Sequence, residues 1–192
     1  MIIQKYETLI FKFEILTMHY EKIYFLDLTI HTPQEVKANI SKLNKHRDSL
    51  MIRHFKRENL QIVKEILSKN RLNTISHFEN SIKCNITHLA SAKNKRIAAK
   101  NSISFHENYD FLRLQKLRPE MVFLSPVFET KTHPNAKPLG KIAAFKMGFA
   151  IKKQMPKCKI YLLGGVNEKR FSQIKKLDFP NIFSGYGFIR GG

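Results

Sequence analysis

Lys159-Ile-Tyr-Leu-Leu163 is a short β-rich run; Gly164-Gly165-Val166-Asn167 is a turn; residues 168–176 are helix-like. The same succession precedes it, in Met121-Val-Phe-Leu-Ser125, a loop reaching Gly140, and a helix-like segment at 141–153. Working outward from this pair of units, further β-rich runs fall at 23–27, 50–53, 72–76, 86–89, 102–105 and 182–189. Helix-like segments separate them at 33–45, 57–69, 79–83, 93–100 and 108–117. Thr32-Pro33 sets a cap residue before a proline suited to the first helical position, and Leu60, Val63, Ile66 and Leu67 recur at helical spacing. Eight strands with seven intervening helices predict an α/β chain folded as a (β/α)₈ TIM barrel, whose parallel strands require such crossovers. An open doubly wound sheet is the alternative.

At 192 residues the chain suffices for one domain, and 43% apolar with 11% aromatic residues supply a continuous core, which excludes disorder and collagen-like structure. Lys+Arg 34 against Asp+Glu 15 gives a net charge of +19, which by itself points to phosphate, nucleic acid or an anionic membrane. Lys outnumbers Arg 25 to 9, however, and the lysines are dispersed, as solvated faces and A/T-rich coding would make them. Glycine is more informative. All eight glycines lie from Gly140 onward, so tight turns and close backbone-to-ligand approaches belong to the last quarter. Cys84 and Cys158 share no metal or disulfide spacing, and no uncharged apolar run approaches a membrane span. A cytoplasmic protein without membrane association is expected.

Residues 1–22 read as an N-terminal extension ahead of a barrel over 23–192, with Met18 an internal start that would make 1–17 a start-site artefact. No helix-like segment follows the eighth strand. A short barrel lacking its final helix would leave apolar surface, so the expectation is a homo-oligomer or coverage by Phe11, Phe13, Ile15 and Leu16.

In such barrels the active site lies at the C-terminal strand ends. His31, His54, His77, His88, His106 and His133 fall there or just beyond. Polar residues that simply collect where strands end, a phosphate-binding mouth, and a transition-metal site are three readings; the last lacks any His-x₃-His spacing. Residues 126–140 form a loop longer than the usual 2–6 residues, in which Thr130, Lys131, Thr132 and His133 offer successive donors to an anionic oxygen cluster. Gly164 and Gly165 stand where backbone N–H groups approach a phosphate at a helix start, with Gly185, Gly187 and Arg190 on the next strand.

Phe123-Leu-Ser-Pro-Val-Phe-Glu-Thr-Lys-Thr-His-Pro-Asn-Ala-Lys-Pro-Leu-Gly140, followed by Ile160-Tyr-Leu-Leu-Gly-Gly-Val-Asn167, resembles the thiamine phosphate synthase/TenI family of barrels. The likeness runs from Ile23 to Gly191 and is most specific in its last third. It implies thiamine biosynthesis: a transferase that condenses aminopyrimidine methyl pyrophosphate with thiazole phosphate, giving thiamine phosphate and pyrophosphate. Arg53 matches the arginine of the family's Gln-x-Arg-x-Lys segment, with Met51 and Phe55 in place of its Gln and Lys and Lys56 one residue beyond. Ser104 matches a serine that contacts the pyrimidine. Thr130 to His133 correspond to a Thr-x-Thr-Lys phosphate loop, in which either Lys131 or His133 does the work of the lysine. The resemblance thus assigns Arg53, Lys56, Ser104, Lys131 and His133 to the pyrimidine pyrophosphate, and Thr130, Thr132, Gly164, Gly165, Gly185 and Arg190 to the thiazole phosphate.

The departures concern metal. Family synthases hold Mg²⁺ with acidic residues after the third and fourth strands, where this chain has Ser76-His77 and His88-Leu-Ala-Ser-Ala-Lys93. Mg²⁺ prefers hard oxygen ligands, so no metal is expected there and the ordinary Mg²⁺-dependent chemistry is in question. The TenI branch isomerises a thiazole phosphate with a histidine just after the sixth strand, and Pro126 stands there. A tautomerase would need His106 or His133 as its proton carrier. Three classes therefore remain: the synthase; a non-catalytic or regulatory binder of thiazole or thiamine phosphate, which would bind without turnover; and a nucleic-acid binder, disfavoured because the basic residues are not interleaved with aromatics. The expected partners are phosphorylated heterocyclic small molecules.

Overall fold

In the computed structural model, which describes residues 20–77, 82–89, 100–107, 110–130, 134–178 and 180–189, the β-rich runs pair until the sheet has no edge. The strands are β1 (Glu21–Asp27), β2 (Ser49–His54), β3 (Asn73–His77), β4 (Ile86–Leu89), β5 (Asn101–Phe105), β6 (Met121–Leu124), β7 (Lys159–Leu162) and β8 (Gly185–Phe188). All neighbours run parallel in sequence order, and β1 closes the barrel on β8 from Glu21 opposite Gly185 to Tyr24 opposite Phe188. This is the (β/α)₈ barrel; the open doubly wound sheet is excluded by the closure.

Strand side chains alternate between two buried sides, which is why the runs are apolar without a polar period. Ile23, Phe25, Met51, Ile75, Met121, Phe123 and Tyr161 fill the barrel interior. The opposite parity, Tyr24, Leu26, Leu50 and Ile52, packs against Val36 and Ile40 of helix α1 (Pro33–Ser41) and Val63 and Ile66 of α2 (Leu60–Asn70). On the other side Ile103, Phe105, Val122, Leu124, Ile160 and Leu162 meet α3 (Asp110–Leu117), α4 (Gly140–Gln154) and α5 (Glu168–Lys175) through Leu114, Ala144, Ile151, Phe171 and Ile174.

Local chemistry sets the helix bounds. At α1, the Thr32 hydroxyl accepts from the Glu35 N–H (3.3 Å), and the Glu35 carboxylate accepts from the Thr32 N–H (2.8 Å), a capping box. The helix ends at Ser41 instead of 45 because the buried Asp48 carboxylate takes the Asn44 N–H (2.9 Å) and the Asn44 side chain takes the His46 N–H (3.0 Å), a turn that competes with helix. The helix expected from 57 is split: Arg57–Asn59 is a 3₁₀ turn, and Asn59 at φ −89°, ψ 3° separates it from α2. The eighth strand starts at Gly185 and not at 182, because Asp178 accepts the Ile182 and Phe183 N–H groups at 2.7 and 2.9 Å before any strand neighbour does.

β1 begins at Glu21, two residues before the expected boundary. The preceding Tyr20 lies against the outer side of the barrel, its ring 5.0 Å from Phe171 and 5.9 Å from Tyr186, its hydroxyl donating to Glu168 (2.8 Å). The extension up to residue 19, residues 79–81 of the helix expected at 79–83 and residues 93–99 of that expected at 93–100 lie outside the described residues, and residues 82 and 83 are not helical. Among the described residues no helix follows β8, and no helix is long and apolar enough to cross a membrane.

Candidate active site

The C-terminal strand ends surround an open cavity of about 570 Å³. Phe25, Met51 and Phe123, inward-pointing residues of β1, β2 and β6, make its apolar floor. One wall is polar: Arg53 is the penultimate residue of β2, His77 ends β3, His88 lies on β4, and Ser104 and His106 are on and just after β5. The opposite wall joins Ser125, Pro126 and Thr130 of the β6–α4 loop to Gly164, Gly165 and Val166 of the β7–α5 loop, with Gly187 from β8. Among the described residues, no Asp or Glu lines the cavity.

The two innermost histidines differ in state. His88 is 3% exposed, with Nδ1 3.0 Å from the Ser102 hydroxyl and Nε2 3.4 Å from that of Ser104. Burial, then the neighbouring charges of His77, Arg113, Arg53 and His106, push its pKa down to about 3, so the ring is neutral near pH 7. It stacks edge-on against His77 (4.9 Å) and lies 5.4 Å from Phe123. His106 is exposed, and its Nδ1 is 2.7 Å from the Ser125 carbonyl. A carbonyl accepts only, so Nδ1 carries the proton, and in the neutral ring Nε2 is left as the basic atom. The Asp110 carboxylate holds the His106 N–H at 2.8 Å, which fixes the base of this side chain at the start of α3.

The glycine pair owes its conformation to an interlock between loops. Val127 N–H donates to the Leu163 carbonyl (2.8 Å) and Phe128 N–H to that of Gly164 (3.0 Å). Gly164 and Gly165 have φ of +79° and +62°. A Cβ at Gly164 would lie 2.6 Å from Pro126 Cβ, and one at Gly165 2.3 Å from the Glu129 carbonyl oxygen. The Arg170 guanidinium, 4.9 Å from the Phe128 ring, closes the contact from α5. Glycine is thus required here by packing alone, whatever the loops bind.

Arg53, Ser104, His106, Thr130, Gly164 and Gly165 all meet at the cavity. Lys56 does not; its side chain is 72% exposed and 3.8 Å from Glu58, because the chain turns outward into the 3₁₀ segment. Gly185 does not either. It sits at the opposite end of β8, where a Cβ would lie 1.9 Å from the Glu21 carbonyl oxygen, so it permits strand pairing; Gly187, two residues on, reaches the cavity. Lys131, Thr132, His133 and Arg190 lie outside the described residues. The floor residues Phe25 and Phe123 were not foreseen at the site, and Met51 was noted only as a replacement for a family Gln; Met51 shares the parity of Arg53, and that period of two was the available signal.

Among the described residues, the donors do not fit Mg²⁺. Ser76 and His77 end β3 and His88 lies on β4, offering imidazole where a hard cation takes carboxylate. Two carboxylates are committed to the backbone: Asp27 accepts from the Thr29 N–H (3.0 Å), Asp110 from the N–H groups of His106 and Glu107 (2.8 and 3.3 Å). Among the described residues, no three His, Cys, Asp or Glu side chains are grouped so as to hold a metal ion.

No protein-family profile matches the chain, and no curated protein matches it. Among solved structures, a thiamine phosphate pyrophosphorylase from Pyrococcus furiosus is similar in three dimensions, with a TM-score of 0.64 at 12% identity over 88% of this chain and 85% of that one. At that identity the likeness establishes a shared barrel fold.

Proposed function

We propose that the chain is a thiamine-pathway transferase that joins an aminopyrimidine methyl pyrophosphate to a thiazole phosphate at this cavity. The observation that carries the reading is the convergence, from four separate strand ends and loops, of Arg53, Ser104, Thr130, Gly164 and Gly165 on a cavity with an aromatic and thioether floor. An apolar floor suits a planar heterocycle, and a wall of nitrogen and hydroxyl donors suits its phosphate groups. In the transfer, the carbon–oxygen bond to pyrophosphate breaks with its electron pair going to the departing oxygen. The guanidinium of Arg53 would stabilise the charge that develops there, while the thiazole nitrogen forms the new bond to carbon. The test is to incubate the purified full chain with both substrates and follow thiamine phosphate. Product formation that depends on Arg53 supports the reading, and absence of product at high enzyme concentration overturns it.

His106 supports a second reading. With Nδ1 donating to the Ser125 carbonyl, its Nε2 has the state required of a proton carrier, and the contact is made beside Pro126. A thiazole phosphate tautomerase would use that nitrogen to move a proton on the ring. Deuterium exchange into thiazole phosphate, lost in His106→Gln, distinguishes it from the transferase. Tight binding of thiazole phosphate with neither reaction would identify a non-catalytic binder.

A further inference from the structure

The cavity's polar wall has an unusual balance. Arg53, His77 and His106 come from β2, β3 and the segment after β5, with the Ser104 hydroxyl beside them, and no described acid stands on that wall. Divalent cations bridge a protein to a phosphate by way of carboxylates, and the carboxylates of Asp27 and Asp110 already accept backbone N–H groups. His88 is neutral and buried between two serine hydroxyls, so it adds a dipolar contact and not a ligand for a hard ion. Among its described residues the wall is therefore suited to negative charge and offers a hard cation no carboxylate.

We infer that the cavity takes the pyrophosphate or phosphate group of its ligand directly on nitrogen and hydroxyl donors, Arg53, His77 and Ser104 foremost, with no bridging divalent cation. The guanidinium supplies a permanent charge and paired donors that match phosphate oxygens. His77 ends β3 on this wall, and as an imidazole it donates to the anion itself. The inference rests on the reading of this cavity as a phosphate site, and it concerns binding, so it can be measured apart from turnover.

Calorimetric titration of the full chain with inorganic pyrophosphate, in chelator and again in Mg²⁺, is the test. Expected is binding in chelator, with an affinity within about threefold of that in Mg²⁺, a difference under about 0.7 kcal/mol. Arg53→Gln should weaken metal-free binding about ten- to a hundredfold, the worth of a charged hydrogen bond. His77→Asp should abolish metal-free binding and make Mg²⁺ restore it. Pyrophosphate binding that requires Mg²⁺ in the unaltered protein overturns the inference, as does the absence of binding under both conditions. So does a stoichiometric transition-metal ion in the purified protein whose removal abolishes binding. The thiamine phosphate assay run in the same two buffers separates the claims. Product only in Mg²⁺ leaves the transferase standing and sinks direct binding; metal-free binding without product does the reverse.

Discussion

Gly165→Ala is the substitution that weighs the interlock between the two cavity loops. At φ +62°, alanine incurs the left-handed penalty of about 1–2 kcal/mol. Its Cβ would also lie 2.3 Å from the Glu129 carbonyl oxygen and 2.9 Å from Phe128 Cβ, contacts that only a backbone shift can relieve, costing about 1–3 kcal/mol more. The expected loss of stability is about 2–5 kcal/mol, or about 5–15 °C in melting temperature for a domain of this size. Gly140→Ala is the matched control, since Gly140 has a φ of +74° and nothing within 4 Å of the added methyl, so that it bears the conformational penalty alone. Denaturant unfolding followed by circular dichroism on the parent and both variants isolates the packing contribution as the difference between them. Equal destabilisation by the two substitutions would refute the interlock. The same displacement should carry Thr130 away from the cavity, so pyrophosphate binding should fall in Gly165→Ala and survive in Gly140→Ala.

Two further outcomes follow from the structure. Burial holds the His88 pKa down to about 3 from 6.5, so between these values the unfolded chain binds a proton that the folded chain does not. Stability from this group should then decline as pH falls through that window, by at most about 1.4 kcal/mol per pH unit; urea titrations from pH 7 to 4 should show a shallower decline in His88→Gln, and parallel slopes would refute it. The outer side of β1 and β8 carries a groove of about 370 Å³ between α1 and α5, floored by Tyr186 and Phe188. Deleting residues 1–17 should raise self-association at micromolar concentration in sedimentation velocity, whereas an unchanged, fully soluble monomer would show that the segment does not cover this groove.

Much of the barrel was legible because two periods are imprinted on the chain. Strands buried on both sides leave short unbroken apolar runs, as at 121–124, and helices leave i, i+3, i+4 spacing, as at Leu60 to Leu67; their strict alternation requires parallel crossovers. Boundaries were less legible where a side chain took backbone N–H groups from a helix or strand. Asp48 shortened α1 and Asp178 delayed β8 in this way, through partners that a local pattern does not reveal. The glycines divide similarly. Gly164 and Gly165 reach the cavity as their position after the seventh strand suggested, whereas Gly185 serves the pairing of β8 with β1, a requirement imposed by a strand 164 residues away in sequence.

Sequence by itself determined the barrel and the strand-end location of Arg53, Ser104 and His106, because these depend on residue type and on position within a repeating unit. Tertiary structure alone decided which residues share the cavity. Closure of eight strands brings the Ser125 carbonyl to His106 and buries His88 between two serines. Those relations join residues far apart in the chain, and burial, which sets the protonation of His88 and the spacing allowed at Gly165, exists only once the strands have closed.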